Sequence, residues 1–128
     1  MEQAGAGAKA VLVIEDDPDT QDAICGLLEY SGYRAVGVSN GREALKFLET
    51  HSAPNVIVLD LMMPVMNGWE FRDFQSADAA LAKIPVVVIS ASGALPRDVL
   101  GKGAVDYVPK PFDPDRLVAA IERVIPSS

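Results

Sequence analysis

The sequence predicts an α/β fold: a doubly wound, five-stranded parallel sheet with helices on both faces. Short apolar runs alternate with stretches of helical periodicity along the chain, which is the signature of consecutive βα units. The runs at 10–14, 56–59 and 85–89 are apolar throughout rather than alternating, as strands covered on both faces require. Polar or turn residues cut off every run, which keeps each one to strand length.

The first run, Ala10–Ile14 (AVLVI), stops at Glu15, Asp16, Asp17 and Pro18 and forms a buried strand. A helix follows. Asp17 caps it, Pro18 suits its first turn, and Ala23, Ile24, Leu27 and Leu28 make one apolar stripe, with Gly32 as the stop. Arg34–Val38 is the second strand, and Gly41–Thr50 is a helix with Ala44, Leu45 and Leu48 on one side. The third strand, VIVL at 56–59, ends at Asp60; residues 68–76 follow as a helix carrying Trp69, Phe71 and Phe74. The fourth strand, 85–89, ends at Ser90, and a short helix is expected over 96–102. The last strand, 105–108, ends at Pro109, Lys110 and Pro111. Asp113 and Pro114 open a final helix whose inward set is Leu117, Val118, Ile121, Val124 and Ile125, with Pro126 at its end. Residues 1–9, mostly small, are expected to form a flexible leader, and 10–126 one domain.

The 128 residues suffice for a single core, and 49% hydrophobic with 23% charged residues is globular composition. A formal net charge of -7 repels nucleic-acid phosphates, so direct DNA or RNA binding is not expected; it suits a cation site or a basic protein partner. Cys25 is the single cysteine, which rules out an internal disulfide and fits a reducing, cytoplasmic setting. The opening residues lack a signal-peptide layout. No apolar run approaches the roughly 20 residues of a membrane helix, so no membrane insertion is expected.

In doubly wound folds ligands sit outside the carboxyl ends of the strands. Those ends carry Glu15 and Asp16, Asp60, Ser90 and Lys110: three carboxylates, a hydroxyl and an amine on one rim. Clustered acids repel one another unless a cation joins them, and a hard divalent ion such as Mg²⁺ takes oxygen ligands of this kind. A lysine and a hydroxyl suit phosphoryl oxygens, and a carboxylate in their company is a nucleophile for phosphorus. His51, the only histidine, lies far from any strand's carboxyl end, which leaves Ser/His/Asp or Cys/His hydrolysis poorly supported.

Three segments, VLVIEDDP at 11–18, VLDLMMPVMNG at 58–68 and YVPKPF at 107–112, occur together and in this order. Nearly the whole chain, roughly 11–124, resembles the response-regulator receiver domains of two-component signalling systems. The resemblance implies a flavodoxin-like strand order, 2-1-3-4-5. It implies Asp60 as phosphoacceptor and metal ligand, Asp16 as a direct Mg²⁺ ligand, Glu15 as a ligand through water, and Met62 as the source of a backbone carbonyl. It further implies Ser90 as a switch hydroxyl, Lys110 as the amine that pairs with the phosphoryl group, Tyr107 as a switch aromatic, and a cis Lys110–Pro111 bond. The implied partners are a sensor histidine kinase or histidine phosphotransfer protein and an unknown downstream protein. It also implies that the chain catalyses only its own phosphorylation and dephosphorylation, with Met62 and Ser92 expected to flank the path of water.

Because the apolar strand runs to Ile14, Glu15 and Asp16 fall at its end and Asp17 is left as the helix cap. The chain departs from the family pattern between Ser90 and Lys110, where SGALPRDVLGKG is slightly short around the expected helix at 96–102. That departure motivates an alternative from the binding class, a phosphate-insensitive receiver-like scaffold for a protein partner. An aspartyl phosphatase is a third reading. It is opposed by the run Asp60, Leu61, Met62, which lacks a second acid two residues on.

Overall fold

The apolar runs become five parallel strands of one sheet: β1 (Ala10–Ile14), β2 (Arg34–Val38), β3 (Val56–Asp60), β4 (Val86–Ser90) and β5 (Ala104–Pro109). Their order is β2-β1-β3-β4-β5, as expected. The structure is a computed structural model and describes residues 8–90 and 104–125. Among these residues the helices are α1 (Pro18–Tyr30), α2 (Gly41–Thr50), α3 (Gly68–Ala77) and α4 (Pro114–Val124), with a 3-10 turn at Leu81–Lys83 that the sequence reading missed. The helix expected over 96–102, and Ser92, lie outside the described residues.

Local chemistry sets the boundaries. Asp17 caps α1, its carboxylate accepting from the Thr20 amide at 3.0 Å and the Thr20 hydroxyl at 2.6 Å. Asn40 caps α2, Asn67 and Glu70 form a reciprocal capping box on α3, and Asp113 caps α4. Gly32 follows α1 at φ 100°, a left-handed turn that glycine adopts without strain. The 85–89 run starts one residue later than expected, at Val86, because Pro85 has no N–H for the ladder.

The alternation of side chains along the strands divides the core between the two faces. Leu12, Ile14, Ile57, Leu59, Val86 and Val88 pack on Ala44 of α2 and Phe71 of α3. Val11, Val13, Val56, Val58, Val87 and Ile89 pack on Ile24 and Leu28 of α1 and on Leu117, Ala120 and Ile121 of α4. β3 and β4 are buried along their whole length, whereas β2, at one edge, is half-exposed. One expectation needs correction. Ala23 is exposed rather than part of the inward stripe of α1, since Ile24 and Leu28 already fill that stripe. Phe74 is 55% exposed, because α3 turns Phe71, Arg72 and Gln75 inward instead. Among the described residues no helix is long and apolar enough to cross a membrane.

Candidate functional site

Strand register assembles the rim. Ile14 lies opposite Leu59 and Asp60 opposite Ile89, so Glu15, Asp60 and Ser90 emerge on neighbouring strands. Ser90 pairs with Pro109, and the Ser90 carbonyl accepts the Lys110 amide at 2.9 Å. Gly68 lets α3 start hard against this rim: its amide donates to the Leu61 carbonyl at 3.0 Å, and a Cβ there would fall 2.7 Å from Leu61 Cα.

Carboxylate oxygens of Glu15, Asp16 and Asp60 lie within 4.8 Å of one another. Glu15 and Asp60 are 0% and 2% exposed, a depth at which a charge needs a partner. Lys110 supplies it. Its Nζ donates to Glu15 Oε1 at 2.7 Å and to Asp60 Oδ2 at 3.3 Å. The other oxygens are held by backbone: Glu15 Oε2 accepts the Asp17 amide at 3.0 Å, and Asp60 Oδ1 the Met62 amide at 3.2 Å. Asp17 itself faces Thr20, so the structure gathers Glu15 and Asp16, and not Asp17, around Asp60.

Burial raises the pKa of the Glu15 carboxyl above its ordinary value; the Lys110 and Asp17 hydrogen bonds oppose that rise, and the Asp60 charge adds to it. Burial pulls Lys110 down, but the Glu15 hydrogen bond and the two carboxylate charges outweigh it, so Lys110 ends above the ordinary lysine value. Lys110 therefore stays a cation across the range in which Glu15 titrates.

Among the other expected residues, Ser90 is buried at the end of β4, Met62 is 60% exposed beside Asp60, and Tyr107 is half-buried against the core on the α2–α3 face. The Lys110–Pro111 bond is cis. His51 stacks on Phe47 and lines a cleft with Ala10 and Arg34, at the amino ends of β1 and β2. Cys25 is half-buried, and burial pushes its thiol up to about 11.

The sequence reading gave Gln21 no role, yet its side-chain amide donates to the Glu15 carbonyl at 2.9 Å and to the Val38 carbonyl at 3.0 Å. The only signal in the sequence was a polar residue one turn into a capped helix, with a glycine at position 37 across from it. Arg72 and Gln75 were also missed; both are buried and hydrogen-bonded to each other, and Gln75 caps the Leu81 and Ile84 carbonyls at 2.8 and 3.1 Å.

A family model described as response regulator receiver domain matches residues 11–122, and the chain belongs to that family. It is 35% identical over 120 residues to the phosphate regulon transcriptional regulatory protein PhoB of Klebsiella pneumoniae, a match covering 92% of this chain and 52% of that protein. The chain thus spans about half the length of that relative. Among solved structures, the signal receiver domain of a signal transduction histidine kinase from Syntrophus aciditrophicus aligns with a TM-score of 0.83 at 33% identity, covering 92% of this chain and 90% of that one. The receiver domain of a Pseudomonas aeruginosa sensor histidine kinase, solved with magnesium coordinated in its active site cleft, aligns with a TM-score of 0.84 at 28% identity, covering 94% and 100%.

Proposed function

We propose that this receiver domain is a phosphorylation switch in which Asp60 accepts a phosphoryl group in a Mg²⁺-dependent reaction. The observation that carries this reading is the convergence of Glu15, Asp16 and Asp60 with Lys110 at one buried rim.

Three carboxylates within reach of one another suit Mg²⁺, a hard cation that binds oxygen. Asp16, Asp60 and the Met62 carbonyl would hold it. Glu15 acts through water. Bound there, the ion neutralises negative charge on the transferring phosphoryl group.

The chain's own residues supply the rest. An Asp60 oxygen attacks phosphorus and forms the acyl–phosphate bond, while the bond from phosphorus to the donor nitrogen breaks and the donor histidine leaves. Lys110 is a cation beside Asp60 and pairs with a phosphoryl oxygen. The Ser90 hydroxyl hydrogen-bonds another, and Tyr107 follows that movement and alters the face presented to a downstream protein. Hydrolysis by the chain itself resets the switch, with the exposed Met62 flanking the path of water.

The donor is a sensor histidine kinase or a histidine phosphotransfer protein in the cytoplasm. A groove beside Lys110, lined by Asp19, Thr20, Ala23, Pro111 and Phe112, gives it a footing and accounts for the exposure of Ala23. Neither nucleic acid nor a membrane is part of this reading, and the complete set of acidic and basic groups favours it over a phosphate-insensitive scaffold.

The test is to treat the protein with acetyl phosphate and Mg²⁺, reduce the acyl phosphate with borohydride, and map the product. Conversion of Asp60 to homoserine is expected; conversion of another carboxylate, or of none, overturns the assignment.

A further inference from the structure

Resting on that reading of the metal-dependent site, we propose that Gln21 is a positioning residue for the acidic pair. It acts by clamping the Glu15–Asp16 peptide where the sheet no longer holds it. The pairing of β1 with β2 ends at Ile14 opposite Val38. Beyond that point the Glu15 amide still donates to the Val38 carbonyl at 3.0 Å, but the Glu15 carbonyl has left the ladder. Gln21 takes over as its partner, and the same amide group grips the Val38 carbonyl. One side chain on α1 thus ties together the carboxyl ends of β1 and β2, on either side of the acidic turn.

The residue types fit the task. Two carbonyl acceptors call for two donors, and the glutamine amide has two N–H groups on one nitrogen. The space for Gln21 exists because residue 37 has no side chain: a Cβ on Gly37 would fall 2.5 Å from Gln21 Cδ and 2.7 Å from Cγ. The backbone at Gly37 accommodates alanine, so Gly37→Ala evicts the clamp while leaving Gln21 in the chain.

The experiment uses the full chain and two readouts: amide hydrogen exchange in the metal-free protein and calorimetric titration with Mg²⁺ alone. Gln21→Met keeps the length without donors; Gly37→Ala displaces the donor; Gln21→Ala with Gly37→Ala closes a double-mutant cycle. Either single change is expected to speed exchange of the Glu15 amide, leave the β3 amides at wild-type rates, and weaken Mg²⁺ binding roughly tenfold, the scale typical of lost outer-shell partners. The double variant is expected to be no weaker than Gln21→Ala alone. Wild-type Glu15 exchange in Gln21→Met overturns the proposal, as does a Gly37→Ala effect that persists undiminished in the Gln21→Ala background. If the wild-type chain itself fails to bind Mg²⁺, the metal reading falls, and the metal-free exchange data still decide whether the clamp exists.

Discussion

On the proposed reading Lys110 has two jobs at the rim, and they make opposite demands on the metal. In the metal-free chain its ammonium is the counter-ion of buried Glu15 and Asp60. A cation arriving among those oxygens must displace or share that contact. Lys110→Ala is therefore expected to bind Mg²⁺ about fivefold more tightly, from relief of roughly 1 kcal/mol of repulsion. It is also expected to accept phosphoryl roughly a hundredfold more slowly, through loss of a charge aimed at the transferring group. Calorimetry and rapid-quench phosphorylation measure the two effects, and parallel loss of both would show that Lys110 only maintains structure. Cys25 gives a contrasting prediction. With its thiol pushed up to about 11, the thiolate is roughly one part in ten thousand at pH 7. A disulfide reagent should label it slowly in the native protein and rapidly in denaturant.

The β3–α3 connection carries the tightest constraints among the elements. Gly68 has no room for a Cβ against Leu61 Cα, and the neighbour there is backbone, which cannot rotate away. Gly68→Ala is expected to destabilise the fold by about 1–3 kcal/mol and to weaken Mg²⁺ binding, because relief of the clash moves the Asp60–Met62 segment; chemical denaturation and metal titration check both. In the same connection Val65 sits at φ 68°, a strained backbone for a β-branched residue. Val65→Asn, which tolerates that region, is expected to raise the thermal midpoint.

Strand ends were legible in the sequence because the buried strands stay apolar until the rim, so the first polar residue, at or just past the strand's last position, marks it; Glu15, Asp60 and Ser90 were all located this way. The Lys110 bridge to Glu15 was not legible, since it spans 95 positions and depends on strand order. Gln21 was invisible for a simpler reason: a polar side chain on a helix carries no mark of the carbonyls it will meet.

At the scale of the molecule, the two-faced core holds the strand ends in register, and a metal bound at the rim would feed back on the stability of the whole. Ligand linkage predicts a gain of about 2.7 kcal/mol, or about 10 °C in midpoint, at Mg²⁺ concentrations roughly 100-fold above the dissociation constant. The gain has a pH signature. Because the folded-state pKa of Glu15 is raised, the metal-free protein holds an extra proton and loses stability as pH rises from the ordinary glutamate value of 4.5 through the raised one. Mg²⁺ needs the deprotonated carboxylate, so its stabilisation should be small near pH 4.5 and grow through the same window. A gain already complete at pH 4.5 would show that Glu15 takes no part in metal binding.

The central claim is chemical, and intact-mass spectrometry after incubation with acetyl phosphate tests it most directly, with and without Mg²⁺ and beside an Asp60→Asn control. A labile gain of a single phosphoryl group that requires both Mg²⁺ and Asp60 is expected. An unchanged mass in a folded, Mg²⁺-loaded protein, or an equal gain in the Asp60→Asn variant, would contradict it.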